Sequence, residues 1–256
     1  MYKYKSGARW HGMPQHIRPL FSFIPPMNTL HLIGAVLLSS LLLSCKKEDT
    51  PEPEPTPPAP IYMEPITDID GNVYHTVKIG NQVWTVESLK TTHYRNGDAI
   101  PNVTDYDQWP DLTTGAWCDY GNSPDNTATY GHLYNWYVTN DSRNIAPEGW
   151  RVPTPTDFQI LENYLGENAA GKLKETGTLH WESEFSNVTN ETGFTALPGG
   201  KRTNNFHDQG KFIYLWSNQE SSSTYATFIS MHKGSPDIGG GNTAKYLGYS
   251  IRLIKE

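Results

Sequence analysis

Residues 68–84 read DIDGNVYHTVKIGNQVW, and their pattern decides the fold class. Tyr74, Val77 and Ile79 lead into Gly80-Asn81, and Val83, Trp84 and Val86 follow. Apolar β-formers on both sides of a two-residue Gly-Asn turn predict a β-hairpin. Asp68-Ile69-Asp70-Gly71-Asn72, just ahead of it, resembles the front of a calcium loop. An EF-hand loop closes with a bidentate Glu. Counted from Asp68, that place falls on Ile79, inside the predicted strand. The segment is therefore expected to be a turn, with no metal.

Farther along, Thr154-Pro155-Thr156-Asp157 offers an N-cap, a proline at the first helical position and an acid at the third. Phe158, Leu161 and Leu165 recur at helical spacing, and Gly166 stands as a stop. A second helix is predicted over 133–138, and strands over 193–197, 211–216, 225–231 and 246–254. Gly239-Gly240-Gly241-Asn242 lacks the Lys and the strand–helix setting of a phosphate loop and reads as a mobile hairpin tip. Trp84, Trp136, Trp150 and Trp216 lie in periodic segments and are expected in the core. The predicted class is α+β, a single loop-rich domain with short antiparallel strands and about two helices.

Upstream, residues 46–60 read KKEDTPEPEPTPPAP, a charged tether held near polyproline II. Ahead of it, 28–44 (NTLHLIGAVLLSSLLLS) has no charge and ends in Leu42-Leu43-Ser44, followed by Cys45. Its most apolar part, 32–43, has the length of a signal h-region and falls short of the ~20 residues that span a bilayer. Cysteine behind such a run and a small residue reads as a lipoprotein signal with Cys45 lipidated. An uncleaved anchor and a buried helix are the alternatives. Residues 1–26 are either a long leader carrying Lys3, Lys5, Arg9 and Arg18 or an extension ahead of a true start at Met27. A start at Met27 would leave the signal without Lys or Arg. Lys46-Lys47-Glu48-Asp49 resembles the export tag of surface lipoproteins in the Bacteroidetes. The expected layout is signal or leader over 1–44, lipidated Cys and tether over 45–60, and a globular domain over 61–256. The expected location is the outer membrane, with the domain exposed at the cell surface.

The first 44 residues hold four of the 20 Lys and Arg and none of the 27 Asp and Glu. The remainder thus carries 16 basic and 27 acidic side chains, a net of −11. That balance argues against nucleic acid, which needs a basic footprint. With Cys45 lipidated, Cys118 is the one thiol left, so no internal disulfide forms. A domain of this length can bury enough core without one. Seven of the eight Trp follow the signal, which suits a loop-rich domain pinned by aromatic anchors.

Six segments in order carry a resemblance: 68–84, YGHLYNWYV (130–138), APEGWRVPTPTDF (146–158), GKLKETG (171–177), ETGFTALPGGKR (191–202) and GYSIRLIKE (248–256). Together they resemble the Fibrobacter succinogenes major paralogous domain. The resemblance implies a compact domain related to C-type-lectin-like and sulfatase-modifying-factor folds, with first and last strands paired. It also implies a surface protein of gut or polysaccharide-degrading bacteria. Members often carry cysteine in the Pro-x-Gly-Trp segment and in the final strand, where this chain has Ala146 and Leu253. The implied arrangement sets these two face to face, an apolar contact standing where others have a crosslink.

Catalytic signals are weak. The nine His include no His-Glu-x-x-His, and neither Cys-x-x-Cys nor Gly-x-Ser-x-Gly occurs. His75, His93, His132, His180, His207 and His232 are scattered and are expected to be surface or hydrogen-bonded structure. Asp119 beside Cys118 would raise the thiol pKa and oppose thiolate formation. No catalytic residue, metal or cofactor is expected. Tyr106, Asp107, Trp109, Trp117, Asp119 and Tyr120 gather in one loop-like stretch. Flat rings beside carboxylates suit sugars, so these six are the candidate ligand residues; the competing use of each Trp is as a core plug. The expected function is binding, to glycan or another surface component, with no enzyme activity. The expected partners are the membrane, through the lipid, and a glycan or surface protein. The alternatives are a structural role in an envelope complex and a degenerate enzyme.

Overall fold

The computed structural model describes residues 58–183 and 186–256; Cys45, the apolar run before it and the tether through residue 57 lie outside the described residues. The hairpin forms as read. β1 (Ile61–Thr67), β2 (Val73–Ile79) and β3 (Gln82–Thr85) are consecutive antiparallel strands. Gly80 turns the chain between β2 and β3 at φ +59°, a conformation that suits glycine. Asp68 closes the turn ahead of β2. Its carboxylate accepts the N–H groups of Asp70 and Asn72, the Asn72 amide and the Tyr74 hydroxyl. Its lone pairs are thereby taken up by the turn itself.

The next strands are short: β4 (Trp117–Cys118), β5 (Leu133–Tyr134) and β6 (Trp150–Arg151). β7 (Gly199–Arg202), β8 (Phe206–Gln209), β9 (Phe212–Glu220), β10 (Tyr225–His232), β11 (Ile238–Ala244) and β12 (Ile254–Lys255) follow. One five-stranded sheet runs β1-β2-β3-β12-β6 and a second runs β11-β10-β9-β7-β8. β4 and β5 form a separate pair, and β7 with β9 is a parallel contact in otherwise antiparallel ladders. The helices are α1 (Thr127–Tyr130), α2 (Pro155–Leu165) and α3 (Ala169–Leu173). The class is α+β.

α2 matches its sequence signals. Thr154 Oγ1 accepts the Asp157 N–H at 3.1 Å, and the Asp157 carboxylate accepts the Thr154 N–H at 2.7 Å, a reciprocal cap. Arg151 adds two bonds to that carboxylate at 2.6 and 2.9 Å. Burial alone would raise the Asp157 pKa; the bonds from Arg151 and Thr154 outweigh it and hold the group low. Phe158, Leu161 and Leu165 face inward, Phe158 lying 5.2 Å from the Trp84 ring. Trp84, Trp136, Trp150 and Trp216 are all buried.

Four local expectations are corrected. The 133–138 segment is not a helix but β5 followed by a tight 3-10 turn, Trp136–Asn140. Several of its polar groups bond distant segments: Tyr134 N–H to Tyr249, Trp136 N–H to Lys245 and Trp136 Nε1 to Ser217. The 193–197 stretch makes one isolated bridge, Lys174 to Ala196, because Arg252 occupies the carbonyls of Phe194 and Thr195. The final segment threads the core, and its regular strand is β12 alone, with single bridges at Gly248, Tyr249 and Ser250. Gly239, Gly240 and Gly241 are not a hairpin tip; they sit inside β11, paired to β10. The implied pairing of first and last strands is also replaced. β12 pairs with β3 and β6, and β1 pairs with β2. Ala146 and Leu253 are both fully buried and belong to one core cluster.

Candidate functional site

The 105–111 backbone is organised by two side chains. Asp105 Oδ1 accepts the N–H groups of Asp107 and Gln108 at 2.8 and 2.9 Å and starts a 3-10 turn, Trp109–Asp111. Those same bonds hold the Asp105 carboxyl below its ordinary pKa. From the end of β7, Arg202 donates to the carbonyls of Val103, Thr104 and Asp105 at 2.6, 3.1 and 2.8 Å. Its guanidinium lies 4.2 Å from the Trp109 ring centre, and both residues are 0% exposed. Trp109 is thus core and not a displayed platform. The physical reason is the partner: a buried cation needs a π face and carbonyls around it, and the Trp supplies the face.

The other five predicted residues divide. Asp119 is buried, and its Oδ1 accepts from the Thr127 hydroxyl at 2.6 Å and pairs with His132 Nδ1 at 2.8 Å. Burial lowers the His132 pKa, and Asp119 offsets that in part. Trp117 is half-buried, stacked 4.0 Å from the His132 ring, with its Nε1 on the Ile100 carbonyl. Tyr106 and Asp107 are exposed and Tyr120 is half-buried. Tyr106 and Tyr120 flank Phe206 at 6.0 and 5.2 Å, so they share a surface strip above Arg202. Cys118 points into the core, and burial pushes its thiol up to about 12, against the nearby Arg202.

A cleft of about 390 Å³ borders the end of the Trp109 turn, at residues 110–113. Asp111 and Leu112 line it together with Tyr137, Tyr225 and Tyr246, which come from separate segments of the chain. Tyr225 is 50% exposed. Lys245, at the base, is buried; its ammonium donates to Glu220 at 2.7 Å and to the Ser223 carbonyl at 2.9 Å, 4.6 Å from the Trp136 ring centre. Leu112 and Tyr246 rest on the same small core as Tyr120 and Phe206, so the cleft and the strip share one foundation. The chemistry on offer is apolar ring surface edged by hydroxyls and the exposed Asp111 carboxylate. Sequence reasoning missed the three tyrosines because they are far apart in the chain. The available signal was Tyr225 itself, an aromatic opening a strand directly after a Ser-rich turn.

Among the described residues no group of three His, Cys, Asp or Glu is placed to hold a metal ion. Neither the curated proteins nor the solved structures give a match to this chain. A family model, the Fibrobacter succinogenes major domain, matches residues 77–255, from the end of β2 through β12. With that span covered, the chain belongs to the Fibrobacter succinogenes major domain family.

Proposed function

We propose that this chain is a lipid-anchored surface protein whose lectin-like domain binds glycan through the tyrosine-lined cleft. The observation that carries the reading is the convergence of Tyr137, Tyr225 and Tyr246 on one open cleft beside Asp111. Rings of this kind cover the apolar faces of a sugar, while hydroxyls and a carboxylate bond its hydroxyl groups. A binding role rather than a catalytic one is supported by how the reactive side chains are used. The Cys118 thiol is buried and pushed up to about 12. His132 is committed to Asp119 and lies against the Trp117 ring. The anchor rests on the sequence ending in Cys45. The acidic balance of the chain argues against nucleic acid as partner.

A glycan array probed with the detergent-solubilised full chain tests the reading. Retention on a defined glycan class is expected. It should be lost in Tyr225→Ala with melting temperature unchanged, and weakened in Tyr246→Phe, which keeps the ring on its core and removes the hydroxyl. Retention that survives both substitutions, or none on any glycan, overturns it. Intact-mass analysis of membrane-extracted protein tests the anchor: a mature N-terminus at Cys45 carrying acyl chains is expected, and a mass without them refutes it.

A further inference from the structure

The two five-stranded sheets have four outer strands, and three of them are guarded. β1 carries Glu64 and Pro65 and a register shift between Met63 and Ile66. β6 is two residues long. β8 is four residues long, contains Asp208, and holds that residue at φ +68°. Charge, proline, bulges and shortness are the devices that keep a sheet edge from pairing with another chain.

β11 has none of them. Its seven residues, IGGGNTA, include no charge and no proline, and each pairs with β10 in one unbroken register. Among the described residues no strand lies against its outer side. A groove of about 210 Å³ runs beside it. α2 lines one side with Pro155, Phe158, Gln159 and Glu162, and the other side is the sheet itself, residues 227–229 of β10 and 238–241 of β11, so the groove reaches from β10 out over β11. The three glycines differ in what they allow. A Cβ on Gly240 would come within 2.7 Å of the Phe228 carbonyl, so packing demands glycine there. A Cβ on Gly241 would meet only the Phe228 ring, at 3.8 Å, an ordinary contact. Gly241 pairs with Phe228 on the sheet face away from α2, so a side chain there is tolerated without entering the groove.

We propose that the edge of β11 and the groove along α2 form a docking site for an extended peptide segment of another protein, bound by strand addition. The main chain of the segment would continue the ladder outward from β11. Alternate side chains would turn into the groove toward Phe158 and Ile238, as strand periodicity requires. Glu162 lines the groove and Asp237 precedes the strand, while nearby Lys233 and Lys245 are paired to Glu182 and Glu220. The site is thus acidic at its margins, and it suits a segment with small apolar residues at alternate places and Lys or Arg at its ends. The chain's own 46–60 tether, acidic and rich in proline, is the wrong chemistry. This site is separate from the tyrosine cleft, and its failure leaves the glycan reading standing.

The test is fluorescence anisotropy with the full chain and a labelled synthetic peptide, Arg-Thr-Val-Thr-Val-Thr-Arg. Saturable binding is expected. It should weaken at least tenfold when the amides along one edge of the peptide are N-methylated, a change that leaves the protein untouched. Gly241→Lys, which sets a charge on the edge strand itself, should weaken it as well, while Gly241→Ala keeps both binding and melting temperature. Replacing the terminal arginines of the peptide with Glu should weaken binding, and Glu162→Lys should reverse that preference. Absence of binding, or binding indifferent to N-methylation, overturns the proposal. Sedimentation showing a dimer that Gly241→Lys dissolves, with no peptide bound, assigns the edge to a second copy and overturns it as well.

Discussion

Two irregular stretches of this protein are each held by one buried arginine, and they end in different places. Arg252 donates to the carbonyls of Thr85, Phe194 and Thr195 and lies 4.3 Å from the Phe194 ring centre. Arg202 does the same for Val103, Thr104 and Asp105 against Trp109. The Arg252 side chain is sealed inside, tying β3 to the 194–195 segment, and burial pulls its pKa down to about 9, still charged at neutral pH. The Arg202 clamp lies just beneath the surface, and the rings around it include the exposed Tyr106. Charge-assisted bonds replace a strand ladder in both places. The inner clamp joins elements; the outer one shapes a surface on which aromatic rings can be displayed.

The largest effect should come from breaking the inner clamp. Arg252→Met leaves three buried carbonyls without donors and is expected to cost on the order of 5 kcal/mol. Urea unfolding measures it, and a loss below ~1 kcal/mol would mean that water or other groups satisfy those carbonyls. Trp109→Ala should cost ~3–5 kcal/mol as a core aromatic, with Trp117→Ala costing less because Trp117 is half-buried. Equal costs for the two would erase the distinction between plug and surface ring.

A crosslink can stiffen the inner region without touching the outer one. Ala146→Cys with Leu253→Cys, in one buried cluster, should oxidise in air and add ~2–4 kcal/mol in the loop-entropy account. The melting temperature should rise while glycan retention stays as it is. A double variant that remains reduced refutes the facing arrangement.

Acid separates these clamps from an ordinary ion pair. Arg143 bonds Asp141 at 2.9 and 2.7 Å and holds its carboxyl down to about 2. A carboxyl depressed in the fold contributes stability above its ordinary pKa and loses it as pH falls through the folded value. Stability should therefore drop by up to ~1 kcal/mol as pH goes from about 4 to about 2, and Asp141→Asn should flatten that drop. The arginine–carbonyl contacts have no carboxylate to protonate and should add nothing to it. The smallest effect is Tyr106→Ser, expected within ~0.5 kcal/mol of wild type by thermal melt. A larger loss would show that the strip above Arg202 is packing.

The features legible in sequence were those decided within a few residues. Gly80-Asn81 between β-formers gave the hairpin, and Thr154, Pro155 and Asp157 gave the start of α2, down to the reciprocal cap. The candidate ligand residues were read from one stretch, 106–120, and the structure disperses their side chains. The 105–111 turn does border a cleft, but Trp109 supports it from below, and Tyr137, Tyr225 and Tyr246 supply the rings. A local window shows that an aromatic is present and not which way it faces. That depends on Arg202, almost a hundred residues on.

By itself the sequence determined the residues that turn, cap and alternate, because backbone sterics and hydrogen bonds to near neighbours act over a few positions. It also determined the acidic balance and the family, which residues 77–255 match. Only the tertiary structure decided which polar groups are buried and what they hold. Arg202 and Arg252 read as ordinary charged residues in a strand pattern; a folded chain is needed to bring three carbonyls to each. The same holds for β11, whose glycines read as a turn until the register with β10 made them a strand with one open side. Long-range contacts settle these positions because burying a charge or an edge is decided by everything packed around it, and a sequence window does not contain that surrounding.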